Sequence, residues 1–107
     1  MDITKTTIKD QVIITLKPFQ DPRGEVVSIY EKETFLNVNI TENFSQDLLT
    51  NSIKKETLRG LHFQTQPYCQ TKLVRCQRGA ILDITLDLRK SSPTYRQIFS
   101  INLEEKD

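Results

Sequence analysis

One histidine, three glycines, two cysteines and no tryptophan occur in the 107 residues, and each scarcity closes a route. A transition-metal centre needs several nitrogen, sulfur or carboxylate donors at short spacing. Cys69 and Cys76 make neither a CxxC pair nor a zinc pattern, and a lone imidazole cannot complete a donor set. No metal is expected, and the cysteines read as free thiols of a reducing compartment. Long apolar runs are missing too. The start, Met1-Asp2-Ile3-Thr4-Lys5, has no apolar signal core, and no later run could span a bilayer. A cytoplasmic protein with no membrane partner is expected. Excess charge is lacking as well: 15 Lys and Arg face 14 Asp and Glu, a net of +1. Nucleic acid is therefore not expected as a partner, since that footprint needs a basic face and stacking aromatics. Lys54-Lys55 and Arg89-Lys90 read instead as solvated ends of strands and turns. The hydrophobic share, 36%, predicts a thin core unless another subunit completes it. Length allows one domain.

What is present reads as strands broken by turns. Residues 12–16 are a short apolar, β-branched run that Pro18 ends, because proline cannot donate to a ladder. Asp21-Pro22-Arg23-Gly24 has turn chemistry and leads to a second strand over 25–30. Residues 32–35 could form one helical turn, too short to stand alone. Further strands are expected over 44–47, 58–64 and 72–77. Arg78-Gly79 turns the chain into 80–88, where Leu82, Ile84, Leu86 and Leu88 share one face and Asp83, Thr85 and Asp87 the other. Ser91-Ser92-Pro93 is a turn before a last strand over 97–103. No segment keeps a helical period, and there is no internal repeat. The pattern predicts an all-β sandwich or barrel.

The richest chemistry lies in Leu58-Arg59-Gly60-Leu61-His62-Phe63-Gln64 and Gln70-Thr71-Lys72-Leu73-Val74-Arg75-Cys76. Here the single histidine stands between an arginine and a lysine. An imidazole is the side chain suited to taking a proton near neutral pH, and a neighbouring cation can steady the enolate oxygen left beside a carbonyl. The competing reading is a core histidine with unrelated surface charges. Arg59 and His62 are three apart, so strict alternation puts them on opposite strand faces. Both can serve one site only if the strand is irregular, and Gly60 is the natural place for the break.

These two blocks, with Asp21-Pro22-Arg23-Gly24, Phe44-Ser45-Gln46, Gly79 and Asp87-Leu88-Arg89-Lys90-Ser91-Ser92-Pro93-Thr94, follow the order seen in dTDP-4-dehydrorhamnose 3,5-epimerases, members of the cupin superfamily. The chain resembles that family from about Phe19 to Leu103. The resemblance implies an all-β jelly-roll, a cupin-like β-sandwich, formed by residues 1–107 as a single domain incomplete relative to the family. It implies epimerisation at C3 and C5, or at C3 alone, of a dTDP-4-keto-6-deoxyhexose without any cofactor. His62 matches the general base, and Lys72 the cation near the C4 oxygen. Arg59 and Arg23 match substrate-holding arginines, and Gln46 a pocket-lining residue. Arg23 could equally cap its turn, and Gln64 and Gln70 could be structural hydrogen-bonders. Metal-binding cupins use an HxH pair with a later glutamate and histidine, whereas this chain reads His62-Phe63-Gln64, with Gln70 in the glutamate region.

The sequence departs from the family pattern at Ser28, where a glutamate is usual, and at Leu48, where an asparagine is preferred. It departs again at Lys54-Lys55-Glu56-Thr57, which replaces a glycine-bearing segment. The family's next segment is also missing: an IPxGFAHGF-like block, a tyrosine that acts as the opposing acid, and an aspartate that pairs with the histidine. Two functions follow. One is an epimerase whose second half comes from a companion chain, this polypeptide being inactive or very weak by itself. The other is a non-catalytic sugar-nucleotide-binding or interaction module. The family's dimeric habit and the thin core predict a homodimer.

Overall fold

A computed structural model describes residues 1–105. Among these residues six strands form three two-stranded antiparallel sheets, paired β1-β2, β3-β4 and β5-β6, and one short helix lies between the second and third. The chain divides into two compact units, Met1–Ile40 with Val74–Asp107, and Thr41–Leu73.

In the first unit, β1 (Asp2–Lys5) pairs with β2 (Val12–Thr15), Ile3 opposite Ile14 and Lys5 opposite Val12. The connecting loop is closed by side chains. The Thr6 hydroxyl oxygen accepts from the Ile8 N–H at 3.1 Å, Thr6 N–H reaches the Gln11 carbonyl, and Ile8 is buried. Asp10 takes a positive φ of 66°, which short polar side chains tolerate better than most. β3 (Phe19–Asp21) and β4 (Gly24–Val26) form a tight hairpin over Pro22 and Arg23. The Asp21 carboxylate accepts from the Arg23 N–H at 2.8 Å, and Gly24 sits at φ +134°. This turn chemistry is legible in the sequence; the strand before it, like β1, is not.

The expected helical turn is α1 (Lys32–Leu36). Phe35, 2% exposed, is its anchor, and Tyr30 meets it edge-on with ring centroids 4.9 Å apart. Ile40 N–H closes the following turn on the Phe35 carbonyl at 2.9 Å.

β5 (Ala80–Leu86) and β6 (Ile98–Glu104) form the longest ladder, with Leu82 opposite Asn102, Ile84 opposite Ser100 and Leu86 opposite Ile98. The expected alternation is present, but the leucine face is the open one. Leu82 and Ile84 are 62% and 48% exposed, whereas Asp83 and Thr85 are half-buried and Asp87 is buried. The reason is packing: Phe99, Ile101 and Leu103 of β6 share the face of Asp83 and Thr85 and are half-buried, and the Gln11 amide donates to the Thr85 hydroxyl at 2.9 Å, so the N-terminal loop lies on that face.

Strands do not form at 44–47, 58–64 or 72–77, correcting three expectations. Apolar alternation supplies a face, but a strand also needs a neighbour to take its N–H and C=O groups. Within Thr41–Leu73 the described residues make no ladder, and their regular features are turns such as Tyr68 N–H to the Thr65 carbonyl at 2.8 Å.

Candidate active site

The site residues named from sequence fall in different parts of the chain. Gln46, Arg59, His62 and Lys72 lie in Thr41–Leu73 and are exposed. Because no ladder runs through 58–64, strand alternation does not govern where Arg59 and His62 point. Gly60 takes φ +107°, a backbone state that L side chains rarely adopt. A methyl group built on Gly60 would stand 3.6 Å from His62 Nδ1, so the glycine lets the backbone lie in ordinary contact with the ring. The Arg59 side chain turns back on its own segment, with Nε donating to Ser52 Oγ at 3.2 Å and Nη2 to the Asn51 carbonyl at 3.5 Å. Among the described residues, no hydrogen bond or ion pair joins Arg59, His62 and Lys72 to one another. No carboxylate is bonded to the imidazole. The sequence puts the three groups in one short stretch without bringing them into contact.

Arg23 lies in the other unit, on the β3-β4 hairpin, and its guanidinium pairs with the Asp21 carboxylate at 2.5 Å. That charge-assisted hydrogen bond, reinforced by the Arg23 N–H, holds the Asp21 carboxyl below its ordinary range and raises Arg23. The Arg23 guanidinium lies open to water while the Asp21 carboxylate is half-buried, so solvent screening keeps the pair's contribution to stability small. Arg23 thus performs the turn-capping role foreseen as its alternative, while its outer donors stay open to solvent. The best-formed surface concavities among the described residues are open and lie along this hairpin, lined by Gln20, Asp21, Gly24, Glu25 and their neighbours. They are too shallow to exclude water from a reaction.

A polar cluster with many bonds surrounds Asp87, in the run Asp87-Leu88-Arg89-Lys90-Ser91-Ser92-Pro93-Thr94. Buried Asp87 accepts from Arg89 N–H, Nε and Nη2 at 3.0, 2.9 and 2.9 Å. It also accepts from Ser92 Oγ at 2.6 Å and Thr94 Oγ1 at 2.7 Å. The Arg89 bond, then that of Ser92, drives the Asp87 carboxyl far below the usual carboxylate range against the opposing effect of burial, and Arg89 is raised in return. Arg89 reaches further, to Asp10 Oδ2 at 2.9 Å and the Lys9 carbonyl at 2.7 Å. These bonds shape the loop between β5 and β6 and pin it to the N-terminal hairpin. The spacing Asp-x-Arg-x-x-Ser-x-Thr was the available signal.

No group of three or more His, Cys, Asp or Glu side chains is placed to hold a metal ion, and no helix is long and apolar enough to cross a membrane, among the described residues. Cys69 is exposed and Cys76 buried, both as free thiols.

Few helical residues and paired antiparallel strands define an all-β chain, and comparison with known proteins narrows the class. The profile of the dTDP-4-dehydrorhamnose 3,5-epimerase family matches residues 5–107, and the chain belongs to that family. Enzymes of that name from Shigella flexneri and Salmonella typhimurium are 40% and 41% identical over 108 residues, covering all of this chain. The chain spans 59% and 58% of their lengths, corresponding to their N-terminal part. A crystal structure of the Elizabethkingia anophelis epimerase superposes with a TM-score of 0.92 at 33% identity, covering 99% of this chain and 58% of that one. The Bacillus anthracis epimerase, solved with TDP and PPi bound, gives 0.92 at 36% identity, covering 97% and 59%.

Proposed function

We propose that this chain is the N-terminal part of a single cupin-like domain that epimerises a dTDP-4-keto-6-deoxyhexose beside its keto group. One observation carries the reading: the family match runs unbroken through the segments that hold Arg59, His62 and Lys72. In this reading His62 takes the proton from C3, and from C5 in a 3,5-epimerase. The electrons of the broken C–H bond move to the C4 oxygen, where the Lys72 ammonium stabilises the enolate. Return of a proton to the opposite face inverts the centre. Redox state is unchanged, so the reaction needs no cofactor. Arg59 and Arg23 suit the diphosphate, a guanidinium fork being matched to phosphate oxygens, and the TDP in the B. anthracis structure supports a nucleotide ligand of that kind. Gln46 lines the sugar pocket.

In the same reading the exposed His62 imidazole is oriented by groups outside these 107 residues. The opposing acid and the carboxylate that orients His62 come from the family's C-terminal part, in a cytoplasmic homodimer or on a companion chain. Alone, the 107 residues bind dTDP-sugar and exchange its protons slowly or not at all. That behaviour defines the second reading, a non-catalytic sugar-nucleotide-binding module. It is favoured by the openness of residues 41–73 and by Leu48, where the family prefers asparagine. The test is loss of C3 and C5 protons from a dTDP-4-keto-6-deoxyhexose in deuterated water, followed by NMR with and without the C-terminal part of a relative. Exchange should appear on complementation and fall about a hundred- to ten-thousand-fold in His62→Ala. Equal exchange in the complemented wild type and His62→Ala refutes the catalytic assignment, and no exchange in either leaves the binding module.

A further inference from the structure

Three arginine side chains are hydrogen-bonded among the described residues, and their partners differ in kind. Arg23 is held by the Asp21 carboxylate, and Arg89 by the carboxylates of Asp87 and Asp10. Arg59 is held by neutral acceptors alone, through Nε to Ser52 Oγ at 3.2 Å and, more loosely, through Nη2 to the Asn51 carbonyl at 3.5 Å. The difference matters to an anion. A carboxylate partner offsets the guanidinium charge, whereas a hydroxyl and a carbonyl fix its direction and leave the charge whole. The edges of the group are divided as well. Nε and Nη2 form the side edge of the planar fork, and that edge faces residues 51 and 52. Nη1 and the second N–H of Nη2 form the end edge, to which no acceptor is bonded among the described residues. Two parallel N–H groups there match two oxygens of one phosphate group.

Local sequence explains how residue 52 meets residue 59. The chain turns at Lys54-Lys55-Glu56-Thr57, where Thr57 Oγ1 donates to the Lys54 carbonyl at 2.7 Å and Glu56 takes a positive φ of 60°. The segment thus doubles back, and Arg59 lies against the residues that precede the turn. We infer that Ser52 is a positioning residue: its hydroxyl holds the side edge of Arg59, so that the end edge is presented with its charge intact to a phosphate group of a nucleoside diphosphate. The inference rests on the epimerase reading above, which gives Arg59 its ligand, and deepens it by naming what aims the arginine. A free arginine gives up many rotamers when it binds; one already tethered gives up fewer, and the difference is gained in affinity.

The test titrates TDP, the probe, into the 107-residue chain and reads its dissociation constant by calorimetry. Ser52→Ala should weaken binding about three- to ten-fold, the value of one exposed hydrogen bond. Ser52 is itself exposed, so the substitution leaves no buried gap. Ser52→Thr keeps the hydroxyl and should bind TDP as the wild type does. In an Arg59→Ala background, Ser52→Ala should change nothing further, a non-additivity that a merely structural serine would not show. Unchanged affinity in Ser52→Ala overturns the inference. So does an equal loss in both backgrounds, or a Ser52→Thr as weak as Ser52→Ala; each of these leaves Arg59 on the ligand. TDP binding that Arg59→Ala does not alter, or no TDP binding by the wild type, removes the epimerase reading of Arg59 and this inference with it.

Discussion

Replacing Phe35 by alanine should cost about 3–5 kcal/mol, the range for emptying a buried aromatic site. Burial of the ring accounts for roughly 1.5–3 kcal/mol by transfer from water. The edge-on Tyr30 ring, 4.9 Å away at 78°, adds about 0.5–1.5 kcal/mol beyond its area. A cavity that the five-residue helix cannot fill supplies the rest. Small domains hold roughly 5–15 kcal/mol in total. Ile8, Phe35 and Cys76 are the buried apolar residues among those described, so this chain belongs at the low end and the variant should be close to unfolding. Urea titration followed by far-ultraviolet circular dichroism reads the effect. At a slope of about 1–3 kcal/mol per molar urea, the midpoint should fall by at least about 1 M. Phe35→Leu keeps an apolar filling and should lose about 1.5 kcal/mol. Leu36→Ala, one residue on but 38% exposed, should lose less than about 1 kcal/mol. If Phe35→Ala and Leu36→Ala move the midpoint equally, Phe35 is not the anchor, and the helix leading into residues 41–73 is held by something else.

Acid should weaken the clamp around Asp87. Its carboxyl lies far below the ordinary value of 3.8 when folded, so its contribution is fully present above about that pH and fades as pH falls toward the folded value. Urea midpoints should decline below pH 4, and Asp87→Asn should flatten that decline while lowering the midpoint at pH 7. Gly24→Ala should cost on the order of 1–3 kcal/mol in the same titration although nothing lies within 4 Å of the added methyl, because φ +134° is itself the strain. In the complemented protein, Lys72→Ala should slow proton exchange by about a hundred- to a thousand-fold with a smaller change in dTDP-sugar binding, as loss of an enolate-stabilising charge requires. Arg59→Ala should do the reverse, weakening calorimetric binding by roughly ten- to a hundred-fold, the value of a charge-assisted bond.

The parts that sequence revealed are those whose determinants are local. Asp21-Pro22-Arg23-Gly24 predicts its hairpin because proline, an Asx side chain and a glycine each fix their own backbone. β5 and β6 are legible for the same reason: regular alternation on either side of a Ser-Ser-Pro turn. β1 was missed because Asp2, Thr4 and Lys5 leave a single apolar residue in four, too little for a period. The strands expected at 44–47, 58–64 and 72–77 do not form because their apolar residues, at 44, at 58, 61 and 63, and at 73, 74 and 76, keep no period of two, and because ladder partners are not a property of the segment itself. The candidate site was legible as chemistry, through the Arg-Gly-Leu-His run and the lysine beyond it. It was not legible as geometry, since distances between exposed side chains depend on elements far away in sequence. The Asp87 clamp was hidden in plain view, because a role distributed over Asp87, Arg89, Ser92 and Thr94 shows in no single residue.

The clamp also sets an order of assembly. The bonds from Arg89, Ser92 and Thr94 to Asp87 span two, five and seven residues, whereas those from Arg89 to Asp10 and Lys9 span 79 and 80. Short spans close quickly and with little entropy to overcome; long ones wait. Asp87 therefore fixes the Arg89 guanidinium while the β5-β6 hairpin forms, and the N-terminal hairpin later meets a cation already aimed. During synthesis the β1-β2 hairpin, whose own pairs are local, can form early, but its docking through Asp10 and Lys9 must wait until Arg89 has followed.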